Sequence, residues 1–498
     1  MNDVVQGPVV SVRDGLLEGL VVDGVRSFLG VPYAAAPFGA NRMRPPRPVE
    51  PWSGTRTATS YGSTAPKGDY PPPYQPLFPE VVIPGEDCLN LNVWTPDSDV
   101  TGLPVLVWVH GGSFMNGSGS IGEYDGSAFA RDGVVCVTVN YRLAAEGFLF
   151  LDDGVANLGL QDQVAALEWV RDNISAFGGD PSRVTVAGES AGAMSTTTLL
   201  AMPMADGLFA RAIIQSGAAA HTLPPDLARK VGGYLAEALG VEPTREAIAS
   251  VPIDTLVRTA SDLVTEVQTA PDPAKWGPLA LSLLPFAPTL DGEVLPRPPL
   301  EAFADGQAAG VPVLIGSNRD EARLFLVAAG SIDFIDDAAL VTAAGVYGLS
   351  PEGVDVYRAN RPDATPGDLL AAVVTDWFFG IPGLRVAEAR ANAGTTWVYR
   401  FDHPSPATNH GLGACHAVEI PFVFDTATRP DVRPRLGDTP SQAVADTVHG
   451  AWVAFITDGA PGWAPYTPET RTTALLTDKV TEVDDPSADE RVLWQGIR

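Results

Sequence analysis

Gly188-Glu189-Ser190-Ala191-Gly192 decides how this chain is read. Before it stands Val184-Thr185-Val186, β-branched residues that suit a pleated strand. After it, the sequence predicts a helix from Ala191 to Met202. A strand that turns at once into a helix packs its turn tightly, so side chains at the two glycine positions would clash. The residue at the tip is forced outward, with its Oγ exposed at the carboxyl edge of a sheet. The first N–H groups of the helix then point to where an oxyanion would form. The G-x-S-x-G pattern also occurs in ordinary glycine-rich turns, so its weight depends on partners elsewhere.

Working outward, Leu103 to His110 reads as a short, apolar, fully buried strand that ends in His110-Gly111-Gly112-Ser113. Val134 to Tyr141 is a second such strand. Apolar residues at helical spacing (Val164, Leu167, Val170, Ile174) predict a helix from Gln161 to Asn173, stopped by Gly178-Gly179-Asp180-Pro181. Further strands are expected at Ala212 to Gln215 and Val313 to Gly316. Near the start, Val9 to Gly24 reads as a small antiparallel ribbon with turns at Asp14-Gly15 and Asp23-Gly24. Apolar strands alternating with helices predict an α/β fold with a mostly parallel central sheet covered on both faces. Residues 71–79 lie in a proline-rich, exposed loop. Residues 220–299 and 328–393 turn helical and irregular, and read as insertions into a single domain spanning 1–498.

Composition narrows the function classes. The chain has 498 residues, 45% hydrophobic and 18% charged, which is globular with ample core. A net charge of −28 repels phosphates and disfavours nucleic acid as a partner. No apolar run approaches ~18 residues, so no membrane span is expected. The first residues show no secretory signal, and a cytoplasmic location is the default expectation. Three cysteines, Cys88, Cys136 and Cys415, are too few for a disulfide framework.

A serine hydroxyl is a poor nucleophile at neutral pH. It needs a base within hydrogen-bond reach, and the base needs an orienting carboxylate. In α/β-hydrolases these follow in the order serine, acid, histidine. That order leaves His403, His410, His416 and His449 as late candidates. His416 stands out: Gly413-Ala414-Cys415 precedes it and Ala417-Val418-Glu419-Ile420-Pro421-Phe422 follows, as in a loop delivering a side chain to a sheet edge. His449 falls in a helical pattern with Trp452 and Phe455 and reads as packed. His403 and His410 flank a polar loop and read as solvated. The acid is expected where Val313-Leu314-Ile315-Gly316 runs into Ser317-Asn318-Arg319-Asp320-Glu321. Periodicity leaves Asp320 and Glu321 both open. His110-Gly111-Gly112-Ser113 is of the HGGG type that supplies one side of an oxyanion hole, and Ala191 after the nucleophile supplies the other.

With these residues in place the chain resembles the type-B carboxylesterase family, from about Phe28 to Trp494. The landmarks are Phe28-Leu29-Gly30-Val31-Pro32-Tyr33-Ala34, Glu86-Asp87-Cys88-Leu89-Asn90-Leu91-Asn92, His110-Gly111-Gly112-Ser113-Phe114 and Asn140-Tyr141-Arg142. Asn157-Leu158-Gly159-Leu160-Gln161-Asp162-Gln163, Phe177-Gly178-Gly179-Asp180-Pro181, the Ser190 motif and Gln215-Ser216-Gly217 follow in family order. The resemblance implies an α/β-hydrolase fold with helical insertions around an active-site cleft. It implies a serine carboxylesterase with Ser190 as nucleophile, His416 as base and Glu321 as the third triad member. Its oxyanion donors map to the N–H groups of Gly112, Ser113 and Ala191. Glu189 maps to the acid beside the nucleophile and Ser216 to a serine behind the triad. Buried ion pairs map to Arg42 with Glu86 and Arg142 with Asp162. Phe114, Phe325, Trp377 and Phe378 are candidates for the lining of an aromatic cleft. Ser113 and Ala322 depart from the family's usual residues, and Cys88 lacks a nearby cysteine and is expected as a free thiol. No metal or cofactor is implied, and the substrate is a small-molecule ester. The rival readings are a non-catalytic binding or adhesion protein on the same scaffold, and an amide or carbamate hydrolase with the same triad.

Overall fold

The computed structural model describes residues 7–78, 80–407 and 411–498. Two compact units are present: Met1–Asp69 with Glu80–Ala212 and His221–Pro298, and Tyr70–Pro79 with Ile213–Ala220 and Pro299–Arg498.

In the first unit the central strand is Leu103–Val109, parallel to Val135–Val139 on one side and Gly179–Glu189 on the other. Val135–Val139 is buried throughout, Leu103–Val109 at all but its first residue, and Gly179–Glu189 from Val184 onward, as a sheet covered on both faces requires. The sheet is not parallel throughout. Asn90–Pro96 runs antiparallel to both Val135–Val139 and Val25–Pro32, and Val25–Pro32 closes a hairpin with Leu20–Val22. The expected ribbon at the start of the chain is present, with Val9–Val12 antiparallel to Gly15–Glu18. The helix Leu158–Asn173 starts three residues before its expected position, and Gly178 at φ +83° ends the turn that follows it.

In the second unit, Val313–Asn318 is parallel to Thr396–Phe401, which is parallel to Thr472–Leu476; Val480–Asp484 adds an antiparallel edge. Within residues 328–393 lie the helices Asp337–Val346, Pro351–Asn360 and Pro366–Thr375, then a π-turn at Asp376–Gly380 and the helix Ile381–Ala389. The run Pro366–Ala389 is long and apolar enough to cross a membrane by length and composition alone, contrary to the expectation of no such run. More than half of its apolar window is buried inside the protein, which accounts for the composition.

One of the two expected buried ion pairs forms. Arg142 grips Asp162 through Nη2 at 2.6 Å and Nε at 2.8 Å, both side chains sealed from water. The other is corrected. Arg42 donates from Nε to Glu146 at 2.7 Å, not to Glu86. Glu146 is buried, while Glu86 is exposed and has water to satisfy it. Removing one member of a buried pair strands the other charge. Arg142→Met is therefore expected to lower stability by about 3–5 kcal/mol, read as a shifted urea midpoint. A variant within experimental error of the parent would mean that Asp162 is solvated.

Candidate active site

Strand Gly179–Glu189 runs directly into Ser190, whose backbone sits at φ +54°, ψ −123°, and helix Ala191–Ala201 begins at the next residue. This left-handed geometry is unfavourable for any residue with a Cβ and survives only where its surroundings enforce it. Both glycines are required by contact. A Cβ on Gly188 would lie 2.5 Å from the backbone of Gly192, and one on Gly192 would lie 2.0 Å from the Val109 carbonyl oxygen. Gly192→Ala is thus expected to force the elbow off the central strand, with a loss of about 3 kcal/mol or more. A thermal melt checks this, and an unchanged Tm would show that the turn has slack.

The loop after Leu103–Val109 lies against the elbow: a Cβ on Gly111 would come within 2.8 Å of the Glu189 carbonyl and 3.2 Å of Ser190 Cβ. Gly112, Ser113 and Phe114 have φ of +112°, +56° and +60°. The Gly112 carbonyl accepts from the N–H groups of Met115 and Asn116, both at 2.9 Å. Gly112 is half-exposed and Ser113 exposed, while Ala191 is buried. His110 is fully buried; burial pushes its pKa down to about 3, so the ring is neutral. Its Nδ1–H donates to the Gly111 carbonyl at 2.8 Å, and the ring stacks on Tyr141 at 4.5 Å. Phe114 has no exposed surface and meets Phe148 at 4.8 Å, so it belongs to the core under the loop rather than to a lining.

In the second unit, strand Val313–Asn318 delivers the two adjacent acids to different tasks. Glu321 is fully buried, and its Oε2 accepts from His416 Nδ1 at 2.6 Å. Its Oε1 accepts from the Asn318 N–H at 2.7 Å. Asp320 instead accepts from the Ala414 N–H at 2.9 Å and pairs with Arg319, pinning the loop that carries His416. Gly413, at φ +65°, lets that loop approach: a Cβ there would lie 2.7 Å from Asp320 Oδ2. Behind the pair sits Glu419, fully buried, accepting from Asn318 Nδ2 at 2.6 Å and Gln215 Nε2 at 3.0 Å. Burial first, and the nearby Glu321 second, push its pKa up. Ser216 is buried at φ +51°, and its Oγ makes no hydrogen bond among the described residues. Glu189 is buried beside Gly111.

Of the proposed lining residues, Phe325 stands beside the histidine, 5.5 Å between ring centres. Phe378 is one ring removed, tilted against Phe379 at 4.7 Å. Trp377 is buried against Tyr347 and under the Arg498 guanidinium, 4.0 Å from its ring. Phe379 also reaches His416, at 4.7 Å, and lies almost parallel to Phe325. Sequence reading passed over it, along with Asn318 and Glu419; the signal for Glu419 was an acid one helical turn after His416 in an otherwise apolar stretch. His449 is packed as expected, donating from Nδ1 to the Val423 carbonyl at 2.7 Å. His403 is not solvated: it is half-buried edge-on to Phe401 and Phe422, and burial lowers its pKa. His410 lies outside the described residues. All three cysteines are free and buried.

A profile of the carboxylesterase family matches residues 6–493. The chain is similar to the para-nitrobenzyl esterase of Bacillus subtilis, 38% identical over 97% of each protein. It is 37% identical to the phenmedipham hydrolase of Pseudarthrobacter oxydans, over 91% of this chain and 90% of that one. Among solved structures, a carboxylesterase of Geobacillus stearothermophilus superposes with a TM-score of 0.85 at 37% identity, covering 98% of this chain and all of the other. A para-nitrobenzyl esterase structure gives 0.84 at 34% identity, over 98% and 99% of the two chains.

Proposed function

The chain belongs to the carboxylesterase family and is a carboxylic ester hydrolase with the α/β-hydrolase fold, and on that footing we propose that Ser190, His416 and Glu321 carry the reaction. Ser190 Oγ attacks the ester carbonyl while His416 Nε2 takes its proton. The Nδ1–H of His416, held by Glu321 at 2.6 Å, keeps the ring in the tautomer whose Nε2 is unprotonated and able to accept a proton. The same carboxylate stabilises the imidazolium formed in the transition state. The oxyanion is received by the N–H groups of Gly112, Ser113 and Ala191. Collapse expels the alcohol, which takes the proton from His416. Water then repeats the cycle on the acyl-enzyme, releasing the acid.

The observation that carries this assignment is the sealed Glu321–His416 bond. A fully buried carboxylate with an N–H from its own turn on one oxygen and an imidazole on the other has the partners expected of an orienting acid. Phe325 and Phe379, flanking His416, support an apolar acyl or alcohol site beside it. The test is a fluorophosphonate probe followed by peptide mapping, alongside a chain-length series of para-nitrophenyl esters. Covalent label on Ser190 supports the assignment, and the length profile sizes the apolar site. Label on another residue, with ester turnover intact, would move the nucleophile.

A further inference from the structure

The loop that carries Gly112 and Ser113 is strained. Gly112, Ser113, Phe114 and Gly117 all have positive φ, and two of the four carry a Cβ. Such a loop holds its shape only where something over-determines it. One end is fixed by Gly111 against the Glu189 carbonyl, and the middle by the two N–H groups that converge on the Gly112 carbonyl. The far end, Asn116-Gly117, is held by two charges.

Lys67 has a side chain with no exposed surface, and its partner Glu80 is almost as deep, 3.3 Å away. The Lys67 ammonium donates to the Gly117 carbonyl at 2.9 Å. Glu80 Oε2 accepts from the Gly117 N–H at 3.2 Å and from Asn116 Nδ2 at 3.0 Å. Asn116 Nδ2 also donates to the Gly68 carbonyl at 2.7 Å. Both peptide groups of Gly117 are therefore tied, one to each member of a buried ion pair. Gly117 in turn abuts the active-site side of the loop: a Cβ there would lie 2.5 Å from the Gly111 carbonyl and 2.6 Å from His110 Nδ1. A buried ion pair stabilises a fold poorly compared with apolar residues of the same volume, and its best-attested use is to fix geometry.

We propose that Lys67 and Glu80 are positioning residues for ester hydrolysis, clamping residues 110–117 so that the N–H groups of Gly112 and Ser113 stay aimed at the oxyanion. The inference rests on the assignment of those two groups as oxyanion donors. Neither residue touches the substrate; their effect is on the transition state through the loop.

The test uses the full chain with Lys67→Met, Glu80→Gln and the double variant, assayed on para-nitrophenyl butyrate. A trifluoromethyl ketone serves as a probe whose bound form is an oxyanion adduct of Ser190. With the aim of the donors relaxed, kcat is expected to fall about 10- to 100-fold, short of outright loss of a donor. KM should stay within about twofold, and the ketone Ki should rise in step with the fall in kcat/KM. The double variant should lose no more than about the worse single, because one clamp is removed either way. If Lys67→Met fails to fold for want of a partner for Glu80, the double variant leaves no stranded charge and carries the same comparison. Folded variants with kcat within about twofold of the parent, or with reduced kcat and an unchanged ketone Ki, would overturn the clamp. A parent enzyme that takes no fluorophosphonate on Ser190 would remove the hydrolytic assignment itself, which is a separate failure.

Discussion

Replacing Ser190 with alanine is expected to lower kcat by roughly a millionfold while leaving the fold intact. The size follows from the triad acting as a unit: without the nucleophile, base and acid have nothing to activate, and what survives comes from oxyanion donors and binding alone. The intact fold follows from the backbone. Alanine at φ +54° meets the same left-handed strain as serine, because both carry one Cβ. Gly188 and Gly192, which fit the elbow to Val109, are untouched. The measurement is para-nitrophenyl butyrate turnover with a thermal melt on the same preparation. Activity within tenfold of the parent would require a different nucleophile.

Glu321→Gln should cost on the order of 10⁴-fold in kcat, with little change in KM. The cause is a tautomer, derived from two hydrogen bonds. Oε1 of Glu321 accepts from the Asn318 N–H at 2.7 Å, which holds the side chain with an oxygen on that side. Glutamine would keep its carbonyl there and turn its amide nitrogen toward His416 Nδ1. Nδ1 would then have to accept, placing the ring proton on Nε2, where the base must be empty. Asp320→Asn is the matched control. Asp320 orients the Ala414 peptide rather than the imidazole, so most of the activity should remain. If the Asp320 variant lost 10⁴-fold and the Glu321 variant did not, the roles of the two acids would be exchanged.

The pair of acids also marks where sequence stops short. Asp320 and Glu321 are the same chemistry at adjacent positions, and only the fold decides which carboxylate faces the imidazole. Ser190 was legible because its requirement is local: strand, glycine, serine, glycine and helix are contiguous, and the Cβ clashes at Gly188 and Gly192 express the same constraint in space. The loop that carries His416 was legible from Gly413-Ala414 before it and the apolar run after it. Arg42 was misassigned because the sequence does not show that Glu86 is exposed and Glu146 buried, and a buried guanidinium takes the buried partner. Phe379 escaped because a π-turn at Asp376–Gly380 breaks the helical phase by which faces are predicted. Phe114 was misplaced for a related reason: its left-handed backbone turns it under the loop and into the core. Lys67 and Glu80 gave no signal at all, since they flank a proline-rich stretch without periodicity and meet only in three dimensions.

The three thiols have a practical consequence for handling this enzyme. Each is fully or almost fully enclosed, and burial pushes the pKa of Cys88 up to about 12 and that of Cys136 and Cys415 higher still. The thiolate is the reactive form, and these sites hold almost none of it at neutral pH. Maleimides and mild oxidants should therefore leave the native protein alone, and no reductant is needed to keep it monodisperse on that account. A single cysteine introduced on the surface would be the one position to react, giving site-selective attachment of a dye or a solid support without first stripping the natural cysteines.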